Sequence, residues 1–252
     1  NIDLELEAGE IYGIIGKSGA GKTTLLKLMA GFLDTTEGQI EFQGKEIIGP
    51  SRKLLPGYDN VQLVNQDFDL ALYSTVEENI RTKILSRHKD VQDELLQEVM
   101  LLVELEHLRD QKAHLISGGE QQRLALAMAL ACEPNILLLD EPFVHIDQRL
   151  RWKIVNYLME LNKVMNLTIV LVSHDGAEMM GFVDHIIYLS ESKIRRNATT
   201  KEIYYNPNDR EEAELMGQVN AIELDGELIF FRPNEYSINE DSNLQMEFLH
   251  SI

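Results

Sequence analysis

The sequence predicts an α/β fold in which helices cover a mostly parallel β-sheet. An apolar stretch at residues 11–15 leads into a glycine-rich loop and then into residues 25–31, whose apolar side chains recur at helical spacing. Four aliphatic residues in a row at 136–139 are typical of a strand that is buried on both faces of a parallel sheet. Residues 168–172 and 184–189 predict two further strands of the same kind.

Composition bounds the class of protein. The chain has 252 residues, of which 44% are hydrophobic, enough for one large domain with a short appendage. Acidic residues outnumber basic ones by 42 to 23 and give a net charge of −19, so no nucleic acid partner is expected. The single cysteine excludes an internal disulfide, and no apolar run approaches the ~20 residues of a membrane span. We therefore expect a protein of a reducing compartment.

The glycine-rich loop is the most informative motif. It matches the pattern G-x-x-x-x-G-K-[ST] and stands between a predicted strand and a predicted helix, the context that a phosphate-binding loop requires. Its glycines let backbone N–H groups converge on a polyanion, Lys22 can reach the outer phosphates, and the Thr23 hydroxyl is placed to ligate Mg²⁺. The alternative is a helix start with flexible glycines. The predicted nucleotide-binding residues are Gly16, Lys17, Ser18, Gly19, Ala20, Gly21, Lys22, Thr23 and Thr24.

Polar side chains stand at the ends of other predicted strands. They are Gln66, Asp140, Glu141 and His174. Because ligands of open parallel sheets bind beyond the carboxyl ends of the strands, we expect these side chains to converge with the glycine-rich loop. For the two adjacent carboxylates, a strand-ending turn is the alternative interpretation.

Several other segments have a predictable local structure. Capping boxes at Thr75 and Ser117 each predict the start of a helix, and residues 91–108 predict another helix from their apolar spacing. Residues 2–7 alternate apolar and acidic side chains, as in a half-exposed strand. Tyr12 lies inside a predicted buried strand and is interpreted as a core residue.

The order of these motifs resembles the ATP-binding subunit (nucleotide-binding domain) of ABC transporters of the importer type, across residues 2–217. A Ser-Gly-Gly motif followed by a short polar run and arginine is close to unique to this family. The matching segments are the Walker A loop at residues 16–23, the Q-loop at Gln66, the signature at Ser117-Gly118-Gly119-Glu120, Walker B with its catalytic glutamate at Asp140-Glu141, the D-loop aspartate at Asp147 and the switch histidine at His174.

The resemblance implies an ATPase with ATP and Mg²⁺ as cofactors. Glu141 would act as general base on the attacking water, with His174 orienting that water. The implied catalytic residues are Glu141, His174 and Gln66. The implied Mg²⁺ ligands are Thr23, Gln66 and Asp140.

The resemblance also implies partners. Ser117, Gly118, Gly119 and Glu120 would face ATP bound to a second copy of the chain, and Asp147 would contact that copy. Two chains would thus enclose two ATP molecules in an ATP-dependent homodimer. Transmembrane permease subunits are the second expected partner, so the chain would be cytoplasmic and peripheral on the cytoplasmic face of the membrane. The side chains expected to face the membrane subunit are Phe68, Leu70, Leu72 and Tyr73.

The predicted domains are an ABC ATPase domain over 1–217, with a helical subdomain over about 67–130, and a C-terminal extension over 218–252. The extension is interpreted as a short β-rich tail, a remnant of a β-rich regulatory domain, and import is inferred from it. The D-loop departs from the usual Ser-Ala-Leu-Asp, since residues 144–147 read Val-His-Ile-Asp. Relatives stack adenine on an aromatic residue upstream of the phosphate loop. No aromatic precedes Tyr12, so we expect that residue upstream of Asn1.

Two classes of function remain open at this point. The first is the motor of a transporter, and the second is a soluble ABC-type ATPase in DNA repair or translation. The short spacing between phosphate loop and signature leaves no room for the long coiled coils or zinc modules of repair types, and translation types carry two such units in one chain. A P-loop kinase, the third option, would leave the Ser-Gly-Gly segment unexplained.

Overall fold

The structure, a computed structural model, describes residues 2–65, 69–224 and 227–232. The strands are β1 (Ile11–Ile15), β2 (Glu41–Phe42), β3 (Lys45–Glu46), β4 (Val61–Val64), β5 (Ile136–Asp140), β6 (Thr168–Val172), β7 (His185–Ser190), β8 (Lys193–Thr199), β9 (Asn220–Leu224) and β10 (Glu227–Phe231). The α-helices are α1 (Lys22–Met29), α2 (Val76–Ile84), α3 (Lys89–Leu102), α4 (Gly118–Ala131), α5 (Gln148–Met165), α6 (Thr200–Tyr205) and α7 (Arg210–Leu215).

The main sheet has six strands in the order β4-β5-β6-β1-β7-β8. Neighbouring strands are parallel except β7 and β8, which form an antiparallel edge. The predicted α/β fold with a mostly parallel sheet and an antiparallel edge is therefore confirmed. Two short antiparallel hairpins, β2–β3 and β9–β10, lie outside this sheet.

Alternate residues of the central strands fill two cores, one on each face of the sheet. Ile11 and Ile15 of β1 pack with the apolar faces of α2, α3, α4 and α5. Tyr12 and Ile14 of the same strand pack on the opposite face with Leu25 and its neighbours in α1. Burial on both faces explains the uninterrupted aliphatic runs of the sequence. Tyr12 is a core residue as predicted, and its hydroxyl accepts a hydrogen bond from the backbone N–H of Glu7.

Helices α2, α3 and α4 pack against one another as the helical subdomain. The capping box at Thr75 is present and starts α2. The single helix predicted over 91–108 is wrong at its C-terminal end, because α3 stops at Leu102. Glu104 adopts a left-handed conformation with φ of 57°, which turns the chain and lets Leu105 enter the core.

The strand predicted at residues 2–7 is also wrong, since the structure places this segment outside any strand. The burial alternation behind the prediction is present: Leu4 and Leu6 are half-buried against the core below α1, while the acidic residues between them are exposed. Alternating polarity thus reports one buried side of an extended segment, not a hydrogen-bonded neighbour.

Beyond β8, the chain continues into α6, α7 and the β9–β10 hairpin. Arg232 is only 3% exposed and donates hydrogen bonds to the carbonyls of Ala213 and Gly217, while its guanidinium lies over the Tyr204 ring. These contacts hold the end of the hairpin against α6 and α7. The domain boundaries at 217 and at about 67 and 130 stay predictions. Across the described ranges, no helix combines the length and apolarity that crossing a bilayer requires.

A carboxylate bridge inside the helical subdomain gives a first testable prediction. Glu77 accepts hydrogen bonds from Arg109 and Arg81, and these guanidinium groups hold the pKa of its carboxyl below the usual range. We expect Glu77→Gln to lower the free energy of unfolding by about 1 kcal/mol at neutral pH. Because the folded pKa is depressed, the contribution exists above the unfolded pKa and is lost as pH falls through the folded value.

Urea unfolding at pH 7 and at decreasing pH measures this effect. The control is Glu94→Gln on α3, which removes an exposed carboxylate from the same subdomain. Equal stability of the two variants at pH 7, or a difference that grows toward low pH, would contradict the assignment.

Candidate functional site

The glycine-rich loop, Asp140, Glu141 and His174 lie at one edge of the sheet because of the register of three strands. In β6, Val172 pairs with Ile14 of β1 on one side and with Asp140 of β5 on the other. The hydrogen bonds continue past the strands, since the N–H of Ser173 donates to the Ile14 carbonyl and that of Glu141 donates to the Val172 carbonyl. The glycine-rich loop, the adjacent carboxylates and His174 therefore leave the sheet side by side.

The glycine-rich loop is shaped to accept an anion. Gly19 and Gly21 have φ of 80° and 101°, the left-handed region in which successive N–H groups can face one concavity. Open space lies where a side chain of Gly19 would stand. Helix α1 begins without a side-chain cap, so its first N–H groups remain free for phosphate oxygens. At Gly16, a Cβ would lie 2.1 Å from the Leu189 carbonyl oxygen, which leaves no room for a side chain.

Lys22 supplies the positive charge of the loop. It is 9% exposed, and its ammonium donates to the carbonyls of Gly16 at 2.7 Å and Lys17 at 3.1 Å. Burial lowers the pKa of the Lys22 ammonium, while the nearby charges of Glu141 and Asp140 act in the opposite direction. A partly desolvated ammonium beside two carboxylates is suited to exchange its carbonyl partners for phosphate oxygens.

Hard oxygen donors that suit Mg²⁺ stand next to this loop. Thr23 is exposed in the first turn of α1, and Asp140 is 4% exposed at the end of β5. A hydroxyl and a carboxylate together with phosphate oxygens are the ligand types that Mg²⁺ prefers, so these residues fit the ion. Gln66, predicted as both a catalytic residue and a metal ligand, lies outside the described residues.

Glu141 is held in an unusual backbone conformation. Its φ of 52° is left-handed, which costs a non-glycine residue about 1–2 kcal/mol. Besides the backbone bond to Val172, the amide of Gln122 donates to its carbonyl at 3.0 Å, and His174 Nδ1 lies 2.7 Å from its Oε2. An ionised carboxylate only accepts hydrogen bonds, so with Glu141 ionised this contact is a hydrogen bond that the Nδ1–H of His174 donates. The left-handed backbone and the contact with Gln122 were not predicted from the sequence.

The signature residues form the exposed N-terminus of α4. Ser117 and Glu120 complete the predicted capping box, and two hydrogen bonds from Ser117, led by its backbone N–H, lower the pKa of the Glu120 carboxyl. Ser117 and Gly118 are exposed, and nothing lies within 4 Å of a Cβ placed on Gly118. At Gly119, a Cβ would lie 3.2 Å from the His145 carbonyl, so signature and D-loop touch.

Asp147 has a local role that is visible within one chain. Its carboxylate accepts from the Leu150 N–H and caps α5, and this bond lowers the pKa of its carboxyl. The side chain is exposed, as is that of Val144 at 52%. A contact with a second chain is compatible with this cap and remains a prediction.

The C-terminal part of the chain reaches the phosphate loop, which the sequence did not indicate. Lys17 Nζ lies 3.3 Å from the carboxylate of Glu211 in α7. Hydrogen bonds from Tyr188 and then Lys17 lower the pKa of Glu211, and burial together with Glu211 raises the pKa of Tyr188 to about 12. Helix α7 is thereby connected to the glycine-rich loop.

Comparisons with known proteins identify the family. The family described as ABC transporter matches residues 1–144. The chain is 35% identical to the sulfate/thiosulfate import ATP-binding protein CysA of Pseudomonas syringae pv. tomato, over 95% of this chain and 74% of that protein. It is 36% identical to the spermidine/putrescine import ATP-binding protein PotA of Clostridioides difficile, over 95% of this chain and 67% of that protein.

Comparison with solved structures supports the same family assignment. A dimeric ATP-binding cassette in a post-hydrolysis state bound to ADP and Pi superposes with a TM-score of 0.71 at 28% identity, over 79% of this chain and 89% of that chain. The chain belongs to the ABC transporter family and is an ATP-binding ATPase subunit of it, as the motif order predicted. A role in DNA repair or translation is not favoured by these relatives.

Lys22 provides a direct test of the phosphate loop. We expect Lys22→Ala to weaken MgATP binding at least about 100-fold, because the only side-chain cation predicted to contact the outer phosphates is removed. Isothermal titration calorimetry measures the change. Lys163→Ala, an exposed lysine near the end of α5, is the control and should bind like the wild type. Tight ATP binding by the Lys22 variant would overturn the assignment.

Proposed function

We propose that this protein is the ATP-hydrolysing motor of an ABC importer, which dimerises around two MgATP and drives transport through separate membrane subunits. The observation that carries the proposal is the convergence of Lys22, Asp140, Glu141 and His174 at one sheet edge, in a chain whose relatives are import ATP-binding proteins. Such subunits work where ATP is supplied, so we place the protein at the cytoplasmic face of the membrane.

The chemistry follows from the groups at the sheet edge. Lys22 and the loop N–H groups neutralise the β- and γ-phosphates, and Mg²⁺ held by Thr23 and Asp140 adds charge neutralisation when bound. Glu141 accepts a proton from water while the water oxygen bonds to the γ-phosphorus and the bond to the bridging oxygen of ADP breaks. His174 fixes the rotamer of Glu141 through the 2.7 Å contact. The products are ADP and phosphate.

The exposed signature supports completion of each site by a second chain. Ser117 and Gly118 present the capped N-terminus of α4, with its positive dipole end, to solvent. The similar cassette is dimeric in its post-hydrolysis state with ADP and Pi. We propose that this helix end binds the γ-phosphate held by Lys22 of the other chain, so that hydrolysis removes the group that bridges the two chains.

An open surface groove lined by both apolar and charged side chains supports docking of a membrane subunit. It has a volume of about 900 Å³ and opens beside residues 65 and 69, which flank the predicted Q-loop. Its apolar lining includes Phe32, Leu33 and Leu55, which are 41%, 39% and 77% exposed. Of the side chains predicted to face the permease, Leu72 and Tyr73 are exposed, Leu70 packs half-buried against the core, and Phe68 lies outside the described residues.

The relatives do not indicate one cargo. Sulfate is an anion and spermidine a polycation, yet the two import proteins named above are 35% and 36% identical to this chain. Similar identity to subunits that serve cargoes of opposite charge supports the view that the ATP-binding subunit does not select the cargo. Selection is then assigned to the membrane and solute-binding subunits.

Glu141→Gln tests the homodimer. Without its general base the protein should bind MgATP but hydrolyse it at least about 100-fold more slowly, so the ATP-bridged dimer should accumulate. Size-exclusion chromatography with light scattering at saturating MgATP measures the mass. Glu160→Gln, an exposed carboxylate on α5, should behave like the wild type. A Glu141 variant that stays monomeric would contradict the ATP-bridged dimer.

Ser117→Arg tests the completion of each site by the second chain. We expect monomer binding of ATP to change less than about threefold, while turnover falls at least about 100-fold, because the bulky cation occupies the place of the partner's phosphate. Ser117→Arg also removes a helix cap, and the control for that effect is Thr199→Arg, which removes an equivalent capping box from α6. Unchanged turnover in the Ser117 variant would show that one chain completes its own site.

A further inference from the structure

Gln122 is a buried amide to which the motif analysis gave no role. It lies in the second turn of α4, is 5% exposed, and its Nε2 donates to the backbone carbonyl of Glu141 at 3.0 Å. The opposite orientation of the amide would place two oxygens against each other, so the geometry fixes Nε2 as the donor. This bond joins the helix that begins with the signature to the residue assigned as general base.

The hydrogen bonding of Gln122 is one-sided. Within the ranges the structure describes, its Oε1 is buried and has no hydrogen-bond partner. A buried amide acting only as a fold stabiliser should satisfy both ends, because an unpaired polar atom is costly. In Gln122, only the donor end is used, and the acceptor it reaches belongs to Glu141.

Glu141 needs such a contact because its backbone is strained. A left-handed φ of 52° at a non-glycine residue persists only where the surroundings fix it. The Val172 carbonyl fixes the N–H side of the residue, Gln122 fixes the carbonyl side, and His174 contacts the carboxylate. Removing the Gln122 bond frees one side of the residue and lets its backbone relax away from the strained geometry.

We propose that Gln122 is a positioning residue that holds the backbone of Glu141 so that its carboxylate meets the attacking water. The inference rests on the proposed function, in which Glu141 is the general base. Because Ser117 begins the same helix, any movement of α4 when the signature closes on nucleotide also moves the group that holds Glu141. Lys22 and the phosphate loop lie outside this contact, so ATP binding is unaffected.

Loss of the Gln122 hydrogen bond should lower the rate of turnover without lowering the affinity for ATP. In Gln122→Met, which keeps the length of the side chain but cannot donate, we expect kcat to fall about 10- to 100-fold and KM for ATP to stay within about twofold. The melting temperature should stay within about 3 °C of the wild type. The substitution removes one hydrogen bond, but it also removes a buried acceptor that has no partner.

Gln92→Met on α3 is the matched control. It makes the same substitution at a glutamine whose Nε2 donates to the Arg87 carbonyl at 2.8 Å, within the helical subdomain. We expect its kcat to equal that of the wild type. Gln122→Glu is the second variant, since it keeps the shape of glutamine but, when ionised, cannot donate; we expect a loss of kcat at least as large as in Gln122→Met.

The deciding measurement is Gln122→Met in the Glu141→Gln background, by single-turnover release of labelled phosphate. If Gln122 acts through the general base, the second substitution changes the residual rate less than about twofold. Equal proportional losses in both backgrounds, a wild-type kcat in Gln122→Met, or a kcat loss in Gln92→Met of the same size would overturn the inference. An inactive wild-type protein would instead overturn the proposed function, so the two failures are distinguishable.

Discussion

The site depends on the hydrogen-bond register of β6 with its two neighbours. Val172 is paired with Ile14 on one side and Asp140 on the other, so the strand ends that carry the phosphate loop, the paired carboxylates and the histidine lie at one level. The carboxyl ends of parallel strands lie at the same edge of the sheet, however far apart the strands are in sequence. A one-residue slip would reverse the faces of the aliphatic runs and is excluded by the two buried cores.

Glu141, the proposed general base, takes its place beside these strand ends at a cost in backbone strain. Its left-handed backbone is bound by a strand carbonyl, by the amide of Gln122 and, through its carboxylate, by His174. Strain at one residue is thus offset by contacts from β6, α4 and the loop after β6. Helix α4 therefore makes two contributions: its N-terminus is exposed to solvent, and Gln122 in its second turn hydrogen-bonds to the backbone of Glu141.

Features that depend on neighbours in sequence were predictable, and features that depend on distant residues were not. The capping boxes at Thr75 and Ser117 and the strand–loop–helix around Lys22 are local patterns, and the structure contains them. The end of α3 at Leu102 was missed because the apolar spacing continues while the backbone turns to bury Leu105. The contact of Gln122 with Glu141 gave no signal, since a glutamine in the polar first turns of a helix is ordinarily exposed.

In the proposed dimer, each nucleotide lies between Lys22 of one chain and Ser117 of another. A structure of the Glu141→Gln protein with MgATP, by crystallography or electron microscopy, tests it most directly. We expect a twofold dimer in which the γ-phosphate contacts Lys22 of one copy and the Ser117 hydroxyl and Gly119 N–H of its partner. A structure in which each nucleotide contacts the residues of one chain alone would contradict it.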